Sequence, residues 1–232
     1  MKLLSLARDL QRRKARERQS LFVAEGVRAV EELLASPLRV VGALATSEAA
    51  ANERLARVRV AIESRSIELA QISERDFVSA SDTDTPQGIL AVAEIPERSL
   101  SSLVLADRSR VLVLDAIQDP GNVGTILRTA AAFDIAATVA MPGTVDLWNA
   151  KVVRSAMGAL FRHHALHASW NELDTFLTGN GVVLWGADAA GARLGDRAHR
   201  SRRRHRGGGR DGEHRDLHRG ERAHLARDGP QP

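Results

Sequence analysis

The chain has 232 residues, 44% of them hydrophobic, which suffices for one large domain or two small ones with packed cores; the absence of cysteine excludes disulfides and cysteine-ligated metals. No run approaches the roughly 18 apolar residues of a membrane span, and the basic N-terminus lacks the apolar stretch of a secretory signal, so a cytoplasmic chain with no membrane partner is expected. The net charge of +4 hides an uneven distribution: residues 191–232 hold 12 arginines against 6 acids, residues 1–190 hold 21 basic against 23 acidic residues, and residues 1–18 hold 7 basic against 2 acidic.

Leu3, Leu6, Ala7 and Leu10 recur at helical spacing, with Arg8, Arg12, Arg13, Lys14, Arg16 and Arg18 between and after them, so residues 1–18 form a short amphipathic basic helix or arm. Like-signed charge this dense repels itself, which favours a polyanion partner over a merely solvated face. Residues 21–34 read as a strand running into a helix. Val40–Ala45, Val58–Ile62 and Ile89–Ala93 read as strands, with helices predicted at Glu48–Arg57 and Glu74–Ala80. That alternation predicts a small α/β layer structure over residues 19–96. Pro96 to Arg110 is polar and unpatterned at its edges, giving a linker at 97–109.

Val111–Leu114 is a short aliphatic run, the pattern of a strand covered on both faces in a parallel sheet. Asp119-Pro120-Gly121-Asn122 then forces a sharp turn. Asn122 is a natural N-cap for a helix that carries Val123, Ile126, Leu127, Ala130 and Ala131 inward. Arg128 lies on another face of that helix, two turns from the rim where open α/β sheets place ligands. Spacing alone fits a ligand-facing arginine and a solvated one equally well. Ile135–Met141 follows as a second strand, ending in Pro142-Gly143-Thr144 at the same rim. A helix is predicted at Lys151–Leu160, then strands at His163–His167 and Val182–Trp185 flanking a helix at Trp170–Leu177. His163 and His164 are adjacent, so a strand turns them to opposite faces and no metal site is expected.

After Asp188 the composition changes. Residues 191–232 contain no Val, Ile, Phe, Met or Trp, and only three leucines and four alanines. Such a segment cannot bury enough surface to offset the entropy of ordering it, which predicts disorder. Its functional reading is an arginine-rich tail that binds RNA phosphates with little sequence preference.

Asp119-Pro120-Gly121-Asn122-Val123-Gly124, Arg128-Thr129-Ala130 and Lys151-Val152-Val153-Arg154-Ser155-Ala156-Met157-Gly158-Ala159 resemble the motifs of the SpoU-type (TrmH-like, SPOUT superfamily) RNA 2′-O-ribose methyltransferases. Glu25, Gly26 and Arg28 resemble the signature of the small substrate-binding domain that precedes the catalytic domain in many of these enzymes. The resemblance implies an α/β fold in which this small domain is followed by an α/β-knot methyltransferase domain at residues 110–190. It also implies S-adenosylmethionine as methyl donor, ribosomal or transfer RNA as substrate, and a homodimer. Arg128 would activate the ribose hydroxyl and Asn122 would shape the site. Arg12, Arg13, Lys14, Arg16, Arg18, Glu25, Gly26, Arg28, Arg154 and Ser155 would face RNA, and Gly143, Gly186 and Ala187 the cofactor.

The family pattern continues with a Gly/Asn-Glu-x-x-Gly loop and a Ser-Leu-Asn-Val segment that this chain lacks, so the knot is expected to be incomplete and the activity impaired. Arginine codons read one nucleotide later encode Val, Ala, Gly, Asp or Glu, and a shifted frame near residue 195 is the corresponding expectation. A non-catalytic RNA-binding protein that keeps the small domain is the alternative function.

Overall fold

The computed structural model describes residues 2–47, 53–106, 108–187 and 222–228. The chain forms two compact units, one from Met1–Glu97, Pro120–Arg128 and Asp146–Arg162, the other from Arg98–Asp119, Thr129–Val145 and His163–Pro232.

The first unit is built on a four-stranded sheet in the order β1-β4-β2-β3, with β1 at Leu21–Glu25, β2 at Val40–Thr46, β3 at Leu69–Ile72 and β4 at Ile89–Glu94. β4 runs antiparallel to both β1 and β2, and β3 runs parallel to β2. Strand alternation sends Val23, Leu44, Leu90 and Val92 to one face, where they pack with Leu3, Ala7 and Leu10 of the N-terminal segment and with Phe77 and Ala80. That face is covered by α1 (Lys2–Asp9) and α5 (Glu74–Ala80); α2 (Arg13–Gln19) lies against β1. Phe22 and Ala24 point the other way, toward the face covered by α3 (Val27–Leu34) and α4 (Glu53–Ser64), which pack on each other. Phe22 also stacks against Trp148 and Phe161, with ring centroids 4.5 and 5.7 Å away.

The second unit holds a five-stranded sheet in the order β7-β6-β5-β9-β8. β5 (Arg110–Asp115), β6 (Ala137–Ala140) and β7 (Ala165–His167) are parallel, while β9 (Arg222–Asp228) pairs antiparallel with β5 and with β8 (Val182–Ala187). Its core joins Leu100, Val111, Val113, Val139, Met141, Leu166, Leu173, Phe176 and Val182. α8 (Trp170–Gly179) starts in a capping box made by Ser169 and Glu172. α6 (Pro120–Ala132) belongs to the first unit as far as Arg128, and α7 (Ala150–Ser155) belongs to it throughout.

Several expectations are corrected. α6 begins at Pro120, so Asn122 sits in its first turn and is not the cap; proline at the first helical position loses no hydrogen bond and presets φ. The predicted strand at Val58–Ile62 is helical, because Leu55, Val58 and Ile62 share one buried helical face while Val60 is 64% exposed. The predicted helix from Glu48 lies in part outside the described residues and begins in the structure at Glu53. β3 has no counterpart among the predicted strands. The helix predicted at Lys151–Leu160 stops at Ser155: Met157 (φ 49°) and Gly158 (φ 88°) turn left-handed, and a 3₁₀ turn resumes at Ala159–Phe161. The strand predicted from His163 begins at Ala165. Disorder throughout 191–232 is corrected at Arg222–Asp228, which forms β9; the rest of that expectation lies outside the described residues. Backbone groups satisfied on both edges of a strand need no aliphatic side chains to form a ladder. Among the described residues no helix is long and apolar enough to cross a membrane.

Two buried polar groups carry much of the local order. Arg16, only 4% exposed, donates Nε to Asp146 Oδ2 at 2.7 Å and Nη1 to the carbonyls of Leu10 and Gln11, both at 2.8 Å. The other carboxylate oxygen of Asp146 accepts from the Trp148 amide at 3.0 Å. In the second unit, His163 Nε2 and Thr138 Oγ1 lie 2.7 Å apart, and Arg98 donates to the His163 carbonyl at 2.6 Å. Burial, reinforced by the Arg98 guanidinium and by His164, pushes His163 down to about 4.

Arg16→Ala would strand a buried carboxylate and should cost about 3 kcal/mol or more, whereas Arg13→Ala, which breaks only the exposed Arg13–Glu17 pair, should cost less than about 1 kcal/mol. Urea unfolding of both variants checks this. His163 gives a second expectation. Its folded pKa lies below the unfolded value of about 6.5, so the unfolded chain binds the extra proton. Stability should therefore be full above pH 6.5 and fall by up to about 3 kcal/mol as pH drops toward 4. His163→Gln should flatten that acid limb; an unchanged limb would assign it to other groups.

Candidate functional site

α6 carries the Asn122-x-Gly124-x-x-x-Arg128 pattern. Gly124 is buried, and a Cβ placed on it would lie 2.4 Å from Ser155 Cβ and 2.9 Å from the Ala156 nitrogen. Only glycine allows α6 this close to the end of α7. One turn further on, exposed Arg128 donates Nη1 to the Met157 sulfur at 2.7 Å. The left-handed turn at Met157–Gly158 thus supplies the support on which this exposed guanidinium rests. Asn122 is exposed in the first turn of the same helix, and the Ser155 hydroxyl donates back to the Lys151 carbonyl at 2.8 Å.

A second constellation surrounds Glu25, which is 3% exposed. Its carboxylate accepts from the Ser81 hydroxyl, from the Asp82 amide at 2.9 Å and from Arg154 Nη1 at 3.4 Å. Arg154 Nη2 also donates to the Asp82 carboxylate at 3.0 Å and to the Asp82 carbonyl at 3.2 Å. Gly26 turns the chain with φ 96°, and Gln87 caps the Val27 amide with its side-chain oxygen at 3.0 Å. Glu25 and Gly26 therefore shape the 81–88 loop. Arg154, half-buried, is the cation at its edge, and Arg28 is exposed in the first turn of α3.

The basic arm is folded and largely paired. Arg12 and Arg18 both reach Asp9, Arg13 reaches Glu17, and Arg16 is buried on Asp146. Lys14 is exposed. Ser81, Asp82 and Asp146 are residues of these networks that spacing and composition do not single out, and Gly124 and Met157 are visible only as members of the quoted motifs. The N-x-G-x-x-x-R spacing contains Gly124, and Ser81-Asp82 is visible in the sequence only as a polar turn.

The three residues expected to face a cofactor are in the second unit. Gly143 is exposed in the turn after β6 with φ 91°, and that turn is tied to β5 by the Thr144 hydroxyl, which donates to the Leu114 carbonyl at 2.9 Å. A Cβ on Gly143 would come 3.3 Å from Ala116 Cβ. Gly186 is exposed near the carboxyl end of β8, and Ala187 ends that strand. The register pairs Ala187 with Ala223 and Asp115 with Arg222, so β5 and β8 end at one rim. Backbone bared by glycine at the carboxyl ends of strands suits a nucleoside-bearing ligand. Among the described residues no three His, Cys, Asp or Glu side chains cluster as a metal site would need.

Comparison with known proteins agrees with this geometry. Residues 5–91 match the MRM3-like substrate binding domain and residues 109–203 match the SpoU rRNA Methylase family. The 23S rRNA (guanosine(2553)-2′-O)-methyltransferase RlmP of Bacillus subtilis is 35% identical over 179 residues, 77% of this chain and 67% of that protein. The human mitochondrial rRNA methyltransferase 3 is 31% identical over 118 residues, 49% of this chain and 28% of that protein. Among solved structures, an RNA 2′-O ribose methyltransferase superposes with a TM-score of 0.63 at 30% identity, covering 76% of this chain and 66% of that one. An AdoMet-bound rRNA methyltransferase from Sinorhizobium meliloti shares the fold, with a TM-score of 0.66 at 22% identity over 76% of this chain and 65% of that one. The chain thus spans about two thirds of the bacterial relative and of these two structures, and about a quarter of the mitochondrial protein. With both halves of the chain matched and a relative alike over most of its length, the chain belongs to the SpoU rRNA methylase family.

Proposed function

We propose that this chain is an RNA 2′-O-ribose methyltransferase that acts on ribosomal RNA in the cytoplasm with S-adenosylmethionine as methyl donor. The observation that carries the reading is the seating of Arg128: a helix brought against α7 by Gly124 ends one face in an exposed guanidinium that is steadied at the Met157 sulfur. When bound, S-adenosylmethionine supplies an electrophilic methyl group. Gly143, Gly186 and Ala187 are the residues that would hold it.

The remaining chemistry falls to the chain's own groups. A ribose 2′-hydroxyl is a weak nucleophile at neutral pH, and its oxygen gains negative charge as its proton leaves. A fixed guanidinium beside that oxygen stabilises the developing charge and eases departure of the proton to solvent. Holding the hydroxyl in line with the methyl–sulfur bond accounts for the larger part of the rate. Arg154 and Ser155, on the helix that positions Arg128, would meet RNA, and the exposed members of the arm, Arg12, Arg13, Lys14 and Arg18, would add phosphate contacts. Two copies of the chain pair as in the family at large, which light scattering tests.

Arg128→Ala should lower the methylation rate by roughly 10²-fold or more while leaving RNA binding close to the parent, the pattern of a group that acts mainly in the transition state. Gly124→Ala should also depress the rate, because the added methyl displaces α6 from Ser155 and moves Arg128 with it. A near-normal rate for Arg128→Ala would remove that residue from the mechanism. Because the Gly/Asn-Glu-x-x-Gly and Ser-Leu-Asn-Val segments are lacking, calorimetry on the whole chain should show S-adenosylmethionine binding weaker than micromolar affinity, about 8 kcal/mol, with methylation correspondingly slow. A chain that bound RNA but gave no heat with the donor would be the non-catalytic RNA-binding protein instead.

A further inference from the structure

Met157 is a non-glycine residue in the left-handed region, with φ 49°, and Gly158 follows it at φ 88°. Two left-handed residues in succession after α7 put strain on a long side chain that glycine or asparagine would avoid. The turn has no room to relax. On one side the backbone at Ser155 and Ala156 meets α6 at Gly124; on the other, a Cβ on Gly158 would lie 2.6 Å from Glu32 Cβ, and Arg162 donates to the Glu32 carboxylate at 2.9 Å. The Met157 side chain is therefore aimed by a wedged backbone, and its sulfur receives Arg128 Nη1 at 2.7 Å. Backbone strain of this kind persists where the surroundings over-determine it, most often at functional sites.

The chain has three methionines. Met1 lies outside the described residues, Met141 is 0% exposed in the core of the second unit, and Met157 is partly open to solvent beside an exposed guanidinium. A thioether is a weak hydrogen-bond acceptor, and its sulfur lone pairs are open to attack on peroxides. Of the two described methionines, only Met157 has solvent access.

We propose that Met157 is an oxidation site through which peroxide regulates the seating of Arg128. This inference rests on the proposed function, since the group it regulates is the arginine that the reaction uses. The sulfur lone pair attacks one oxygen of hydrogen peroxide, the O–O bond breaks, and the proton of the transferred oxygen passes to the departing hydroxide. The products are the sulfoxide and water, with sulfur oxidised and peroxide reduced. The 2.7 Å between Nη1 and the sulfur holds no third atom, so the new oxygen either pushes the guanidinium back or turns the side chain away. Where it stays, a sulfoxide oxygen is a far stronger acceptor than a thioether and binds a donor that would otherwise meet the ribose hydroxyl.

The test exposes the full chain to hydrogen peroxide. Tryptic mass spectrometry separates the two methionines, since Met157 lies in the peptide 155–162 and Met141 in the peptide 129–151; the first should gain one oxygen while the second stays unmodified. The Nε–H resonance of Arg128, assigned by its loss in Arg128→Lys, should move in the oxidised chain. The methylation rate should fall by roughly 10-fold or more, as misplacement of a reacting group implies, and recover with methionine sulfoxide reductases and a dithiol. Met157→Leu keeps the bulk of the side chain without its sulfur and should hold its own starting rate through the same treatment. Oxidation of Met157 no faster than that of Met141 would overturn the inference, as would an unmoved Arg128 resonance in the oxidised chain or an equal fall in rate for Met157→Leu. A parent chain whose Arg128 resonance moves on oxidation but which methylates no RNA would leave the oxidation site standing and overturn the function reading.

Discussion

Arg16 gives up nearly all of its exposure to water, and the segment that leads into α7 is arranged around that burial. A guanidinium buried to 4% exposure is tolerable only if every donor finds an acceptor, and here the acceptors are Asp146 and the carbonyls of Leu10 and Gln11. Asp146 in turn fixes the Trp148 amide, Trp148 stacks on Phe22, and Asn149 caps α7 by accepting from the Lys151 amide at 2.9 Å. One buried charge in the N-terminal segment thereby sets the entry of a helix more than a hundred residues away. Arg162 pairs with Glu32 in an exposed contact on the same segment, whereas Arg154 on the buried Glu25 carboxylate repeats the device. Removing either partner of such a pair leaves a charge without compensation, which is why these contacts specify one arrangement more than they add to net stability.

The motifs that carry the candidate site are visible in the sequence, while the contacts that seat them are not. β1 into α3, β5 into α6, and α8 are readable because apolar periodicity, a proline-glycine turn and a capping serine each act locally. Val58–Ile62 misleads because Arg57-Val58-Arg59-Val60 alternates like a strand, while the burial of Leu55, Val58 and Ile62 together is decided by the sheet beneath them. The pairing of Arg16 with Asp146 cannot be read from the sequence at all. Ion pairs across 130 residues leave no trace in spacing, and a row of arginines looks the same whether its members face solvent or a buried carboxylate. Gly124 is the intermediate case: its place in the pattern is visible, but the reason for glycine, the approach of Ser155, is a tertiary contact.

The C-terminal strand shows where composition misleads in the other direction. Arg222–Asp228 has little to offer a hydrophobic core, yet it stands between β5 and β8 and pairs with both over its length. Composition reports what side chains can bury; it is silent about the ladder, whose donors and acceptors every residue but proline carries. Two parallel strands set one strand-width apart present complementary backbone edges, and any extended segment that reaches them can bond to both.

The division of labour follows space and not chain order. Arg128 and the Glu25–Arg154 network both belong to the first unit, although Arg128 and Arg154 lie within the matched methylase segment, while Gly143, Gly186 and Ala187 belong to the second. The helix bearing Arg128 is packed through Gly124 onto a segment anchored by Arg16, Arg154 and Arg162, so in the proposed reaction the position of the hydroxyl would depend on those pairs. Under that proposal, holding the ribose and activating its hydroxyl would both rest on arginine–carboxylate pairs whose geometry is fixed by their fork of donors.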